Sequence, residues 1–139
     1  MKDPLPAVTA VLRAASVPAH ERRPPQKTRP PYVVVAEAGD AMAGQLVPLG
    51  AAEPVEVELH LYAESVDQVE RLGEGVEEAF YRLLPYRPED GSWLLSCAVR
   101  TGFRSGLDPA LYGAPGEVPA QYHRYIMSFS SQPARAWES

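Results

Sequence analysis

Apolar positions recur along the chain with two different periods, and the switches between them divide it into elements. Leu5, Val8, Val11, Leu12 and Ala15 stand three and four apart, the spacing of a helix with one apolar stripe. Asp3 occupies the N-cap place, Pro4 the first helical position, and Pro18 closes the helix. Tyr32 to Ala36 is a continuous apolar run, which predicts a strand buried on both faces. From Glu53 to Tyr62 the period is two. Val55, Val57, Leu59 and Leu61 fall on one side and Glu56, Glu58, His60 and Tyr62 on the other, the pattern of a half-buried strand.

The helical period then returns. Val66, Val69, Leu72, Val76, Ala79, Phe80 and Leu83 share one arc, opposite Asp67, Glu70, Arg71, Glu74, Glu77, Glu78 and Arg82. Ser65 is the expected N-cap, with Gln68 completing a capping box, and the helix runs to about Leu84, where Pro85 stops it. Gly73 and Gly75 lie inside it at about 1 kcal/mol each relative to alanine, a cost that close packing would offset. Two further β runs follow. Trp93 to Arg104 sets Trp93, Leu95, Cys97, Val99 and Phe103 against Ser96, Arg100 and Arg104, and Gln121 to Ser130 carries Tyr122, Tyr125, Ile126 and Phe129.

The segments between these elements are marked by proline and glycine. Residues 20–31 hold four prolines besides Arg22, Arg23, Lys27 and Arg29, which predicts an extended, solvated connector, Pro-rich over 22–31. Residues 39–54 and 105–120 read as long loops. The order helix, strand, strand, helix, strand, strand gives an α+β fold: a two-layer domain spanning residues 1–139, with a mainly antiparallel sheet of about four strands and two helices packed on one face.

Composition narrows the function. A net charge of −5 over 139 residues excludes the basic stripe of a duplex-binding protein. A single cysteine, Cys97, excludes an internal disulfide framework and a Cys-based zinc cage. The longest apolar run is far shorter than the roughly 20 residues of a membrane span, so no membrane contact and an intracellular setting are expected.

Candidate chemistry is thin. His20 falls in the connector, His60 on the polar side of its strand, His123 between Tyr122 and Arg124. Cys97 reads as a small buried hydrophobe on an apolar strand face rather than as a nucleophile. Glu56, Glu58 and His60 share one strand face and are the place where a metal, a ligand or acid–base work could be held; a solvated sheet face is the plainer reading. No phosphate loop, HExxH, CxxC or nucleophile elbow occurs, and no cofactor is expected. In the second helix, Glu70, Glu74 and Glu78 stand four apart, an arrangement that mildly destabilises a lone helix, and Tyr81 projects from the polar arc. Either this is a solvated face, or it is an acidic surface lining a channel or meeting a basic partner.

One larger pattern stands out. Pro31-Tyr32-Val33-Val34-Val35 follows a short helix and a proline-rich approach. The stretch Val55-Glu56-Val57-Glu58-Leu59-His60-Leu61-Tyr62-Ala63-Glu64-Ser65 then leads into an acidic amphipathic helix. In these features the chain resembles the tail terminator, or tail completion, proteins of long-tailed phages and gene transfer agents, in detail over residues 4–84 and in outline beyond. The resemblance implies a structural virion protein at the head–tail junction. It implies a homo-oligomeric ring, commonly six-fold, that stops growth of the tail tube, touches the major tail tube protein on one side and a head-side connector or stopper on the other, and lets DNA pass its lumen without specific binding. Interface candidates on this reading are Arg22, Arg23, Arg29, Met42, Leu46, Tyr81, Leu111 and Tyr112, and Glu70, Glu74, Glu77 and Glu78 are candidates for a lumen face. The rivals are another neck protein and a small cytosolic ligand-binding or enzymatic domain built on Glu56, Glu58 and His60.

Overall fold

The computed structural model describes residues 3–38, 53–89, 91–111 and 116–131. The first helix, α1, spans Leu5–Ala14 and buries Leu5, Val8, Val11 and Leu12. Asp3 accepts a hydrogen bond from the Leu5 N–H at 3.0 Å, so it caps the helix from one residue before the Pro4 N-cap. Pro18 is not what ends α1. Ser16 turns into the left-handed region at φ 64°, its N–H donates to the Arg13 carbonyl, and the Val17 N–H reaches back to Leu12. That pair of bonds is a Schellman motif closed by a non-glycine residue.

The sheet has five strands: β1 (Ala19–Glu21), β2 (Tyr32–Glu37), β3 (Glu53–Tyr62), β4 (Trp93–Pro109) and β5 (Glu117–Ser131). Their order is β1-β2-β3-β5-β4, with β1 parallel to β2 and all other pairs antiparallel. The fold is therefore α+β with a mixed five-stranded sheet, one strand more than expected. β1 escapes the sequence pattern because Ala-His-Glu carries no apolar run, and it takes His20 out of the connector. The connector itself is only partly solvated, since Pro24 and Pro30 are buried.

β2 is buried on both sides, as its unbroken apolar run predicts. Val33 and Val35 join the main core with Val57, Leu59 and Leu61, under α1 and the second helix, α2 (Val66–Leu83). Tyr32 and Val34 face the other way, into a smaller cluster with Tyr62, Val118, Ala120 and Tyr122. In α2 the Ser65 hydroxyl accepts from the Gln68 N–H at 3.1 Å, and the Gln68 side chain returns to the Glu64 N–H at 2.8 Å. Val69, Gly73, Val76, Ala79 and Phe80 are buried; Val66, expected among them, is exposed in the first turn.

The expected loop over 105–120 is mostly strand. β4 continues to Pro109 and β5 starts at Glu117, so the two form a long hairpin. Its two strand prolines sit where no ladder bond is lost: Pro109 on an edge strand, and Pro119 just past the end of β3, where its carbonyl accepts from the Ala63 N–H. The face alternation expected along β4 also fails. Register shifts between Leu95 and Cys97 and between Arg100 and Gly102 each insert one extra residue, Ser96 and Thr101. Their hydroxyls donate to the Ser128 and Arg124 carbonyls of β5. The first bulge moves Cys97 and Val99 to the face away from the helices, where both are exposed, and brings Ala98 and Arg100 to the helix side. Of the 39–54 loop, residues 39–52 lie outside the described residues, and Glu53 and Pro54 already belong to β3.

Candidate functional site

Two places gather polar chemistry, one on each face of the sheet. On the face away from the helices, β3 aligns Glu56, Glu58 and His60, and β5 brings Arg124 and Tyr122 beside them. His60 Nε2 donates to Glu58 Oε1 at 2.7 Å, and Arg124 reaches Glu58 Oε2 at 3.1 Å and Glu56 Oε1 at 3.4 Å. Burial would raise the Glu58 carboxyl, but the hydrogen bonds from His60 and Arg124 outweigh it and hold it below its ordinary value. Tyr122 lies edge-on to His60, and Arg104 of β4 stacks over the Tyr122 ring at 3.9 Å. Tyr62, farther along β3, is pushed up to about 12, chiefly by burial and then by Tyr32 and Asp108. Glu56, Glu58 and His60 are thus brought together, but as a charge ladder in which one guanidinium spans both carboxylates. Among the described residues no group of three or more His, Cys, Asp or Glu side chains is placed to hold a metal ion.

The second place lies between α2 and β4. A groove of about 410 Å³ is lined by Glu77, Phe80 and Tyr81 of α2, Ala98 and Arg100 of β4, and Tyr125 of β5. Glu77 and Arg100 form an ion pair across it. Phe80 meets the Tyr125 ring edge-on at 5.0 Å. The Tyr125 hydroxyl is buried without a hydrogen-bond partner, and its pKa is pushed up to about 12, by burial first and then by Glu77. Tyr81 stands 89% exposed at the rim. Farther along the same side of β4, Phe103 is 52% and Leu107 60% exposed, and Arg100 lies over the Phe103 ring at 5.4 Å. The outer edge of β4 is bridged at Leu95, which exchanges two backbone hydrogen bonds with Tyr86 at 2.9 and 3.0 Å, and among the described residues it has no strand partner beyond that point.

The four glutamates named as candidates for a lumen face are all exposed on α2. Glu70, Glu74, Glu77 and Tyr81 fall on one helical stripe, and the Glu77–Arg100 pair sets that stripe along β4. Glu78, one turn after Glu74, pairs with Arg82 at 3.1 Å and borders a hollow that Ala14 and Ala15 of α1 also line.

The remaining interface candidates divide. Arg22 is tied within the chain, to Asp3 at 2.7 Å and to Glu37, which joins α1, the connector and the end of β2. Arg23 is exposed and lines a hollow of about 690 Å³ with Arg13, His20, Glu21 and residues 24–26, outside β1. Arg29 is exposed. Leu111 is exposed, and its N–H donates to the Tyr32 hydroxyl at 3.1 Å, which draws the end of the β4 arm toward the smaller core. Met42, Leu46 and Tyr112 lie outside the described residues.

The residues that the sequence pattern missed are Arg100 and Tyr125. Without the bulge at Ser96, Arg100 belongs to the opposite face, so nothing in the alternation points to it. No protein-family model matches the chain, and no curated protein matches it.

Proposed function

We propose that the chain is a non-enzymatic virion subunit that assembles into a closed, six-fold ring at the head-proximal end of a phage tail tube. There the ring ends growth of the tube, meets the major tail tube protein on one side and docks the head-side connector on the other. DNA passes through its lumen without specific binding. The motif resemblance over residues 4–84 supports the phage assignment. The observation that supports a ring is the difference between the two edges of the sheet. The β1 edge is bordered by the basic connector, and the β4 edge, closed at Leu95 by a bridge to Tyr86, has no strand partner beyond it among the described residues and is flanked by exposed Tyr81, Phe103 and Leu107. Unlike surfaces on opposite edges favour head-to-tail contacts, and head-to-tail contacts that close by rotation give rings.

Native mass spectrometry over a concentration series, with negative-stain imaging, tests the reading. The expected result is a closed ring of about six subunits with a central hole, and capping of tail tubes in a lysate that lacks the protein. A strict dimer at every concentration overturns it. A ring that binds the connector but leaves tube growth unchecked identifies the protein as another neck component.

A further inference from the structure

We propose that the groove between α2 and β4 of one copy receives the Lys27–Arg29 turn of a second copy. This inference rests on the ring reading and names the contact by which neighbouring subunits hold each other.

The groove calls for a cationic side chain with a long apolar stem. Phe80, Tyr81 and Tyr125 line it beside Ala98 and the Glu77–Arg100 pair, and the exposed Tyr81 ring at its rim is one on which a guanidinium or ammonium group stacks favourably. Tyr125 lines the groove, and its hydroxyl is buried with no hydrogen-bond partner, so a donor that reaches it removes a standing penalty. Glu70 and Glu74 lead up to the groove along the same stripe of α2, four residues apart and both exposed. Two like charges at that spacing weaken the helix unless a cation comes between them. Arg100, which also lines the groove, pairs with Glu77.

The connector presents the complement. Lys27 takes a left-handed backbone at φ 68°, and the Thr28 N–H and hydroxyl both donate to the Pro25 carbonyl, at 3.1 Å and 2.6 Å. This turn exposes Lys27 and Arg29 in a geometry fixed before any partner arrives, which lowers the ordering cost of docking. The connector borders β1, and the groove borders β4 at the opposite end of the strand order. A copy therefore cannot fill its own groove with its own turn, whereas each copy can fill its neighbour's. The contact is heterologous, as a ring requires.

Charge exchange tests the pairing. Native mass spectrometry at low ionic strength is run on the full chain, on Glu70→Lys/Glu74→Lys, on Lys27→Glu/Arg29→Glu, and on the four changes combined, with circular dichroism to verify the fold of each. The expected result is that either pair of reversals raises the concentration for half-assembly at least about tenfold, and that the combination recovers most of the loss. If both reversed variants form rings at the same concentration as the unaltered chain, this contact is overturned and the ring reading stands. A loss that the combination does not recover also overturns it, since general charge effects then suffice. If the unaltered chain forms no ring at any concentration, with or without tail tubes, both readings fall.

Discussion

Gly73 of α2 lies against the imidazole of His123 on β5. A Cβ at residue 73 would stand 3.3 Å from His123 Cε1 and 2.7 Å from the Oε1 of Gln121, the atom to which His123 Nε2 donates. The helix thus approaches the sheet where only glycine leaves room, and it does so over a hydrogen-bonded pair that is itself buried. Gly75, two residues on, is different: its nearest such neighbour is Val17 Cγ2 at 3.9 Å, an ordinary contact.

The two glycines should therefore respond oppositely to alanine. Gly75→Ala gains helix propensity at no steric cost and is expected to raise stability by about 0.5–1 kcal/mol. Gly73→Ala gains the same propensity but must displace Gln121 from His123, and is expected to lower stability by about 1–2 kcal/mol. Urea unfolding of the two variants checks this, and equal stabilisation by both would remove the close contact as the reason for Gly73.

His123 makes stability depend on pH. Burial, with Arg100 adding to it and Glu77 opposing, lowers its pKa from 6.5 to about 4. In the fold the ring stays neutral: Nε2–H donates to Gln121, and Nδ1 is buried without a partner. Below pH 6.5 the unfolded chain binds a proton that the folded chain refuses. Its contribution is therefore fully present above pH 6.5 and is lost as pH falls toward 4, by roughly 3 kcal/mol at most. Unfolding free energies between pH 7.5 and pH 4 should fall along this slope, and His123→Gln should flatten it whatever its effect on stability at neutral pH.

Which parts of the molecule are legible in the sequence follows from how its periods are broken. Tyr32–Glu37, Glu53–Tyr62 and Val66–Leu83 keep one period from end to end, and each forms the element that its pattern predicts. β4 does not, because Ser96 and Thr101 each shift the phase by one residue, and a shift of one exchanges the two faces. The groove against α2 depends on Arg100 facing the helix, so it is invisible to alternation. The ladder of Glu56, Glu58 and His60 is legible as a shared face, but its partner Arg124 comes from a strand 66 residues away from Glu58. The same phase shift carries a prediction. Cys97 is exposed, so a thiol reagent should label it fully in the native state without denaturant; slow labelling, limited by unfolding, would return it to the buried face.

Ser16 closes α1 with a left-handed backbone at φ 64°, a conformation that glycine adopts without the steric cost of a Cβ. Its bonds in the Schellman motif are all made through the backbone, so Ser16→Gly keeps them. The substitution is expected to stabilise the protein by about 0.5–1 kcal/mol, read as an upward shift of the thermal midpoint, whereas Ser16→Val should lower it.

Arg124 supplies the charge that keeps Glu56 and Glu58 compatible on one strand face. Both carboxylates are largely buried, and they stand two positions apart on one strand, so their side chains project side by side. Arg124→Ala leaves His60 as the remaining partner of Glu58 and leaves the Glu56 carboxylate without this pairing. At neutral pH the change is expected to lower stability by about 1–2 kcal/mol, more than an exposed pair would give and less than a fully buried one. Acid should separate this loss from simple loss of packing. The folded-state pKa of Glu58 is depressed in the intact protein, so its stabilisation is present above the ordinary carboxylate value of 4.5 and disappears as pH falls through the depressed one. Without Arg124 the depression shrinks, and the penalty of the variant should fade as Glu58 takes up its proton. Parallel unfolding curves for the two proteins between pH 7 and pH 3 should therefore converge. A difference that stays constant to pH 3 would mean that the arginine's aliphatic stem, and not its charge, holds this face together.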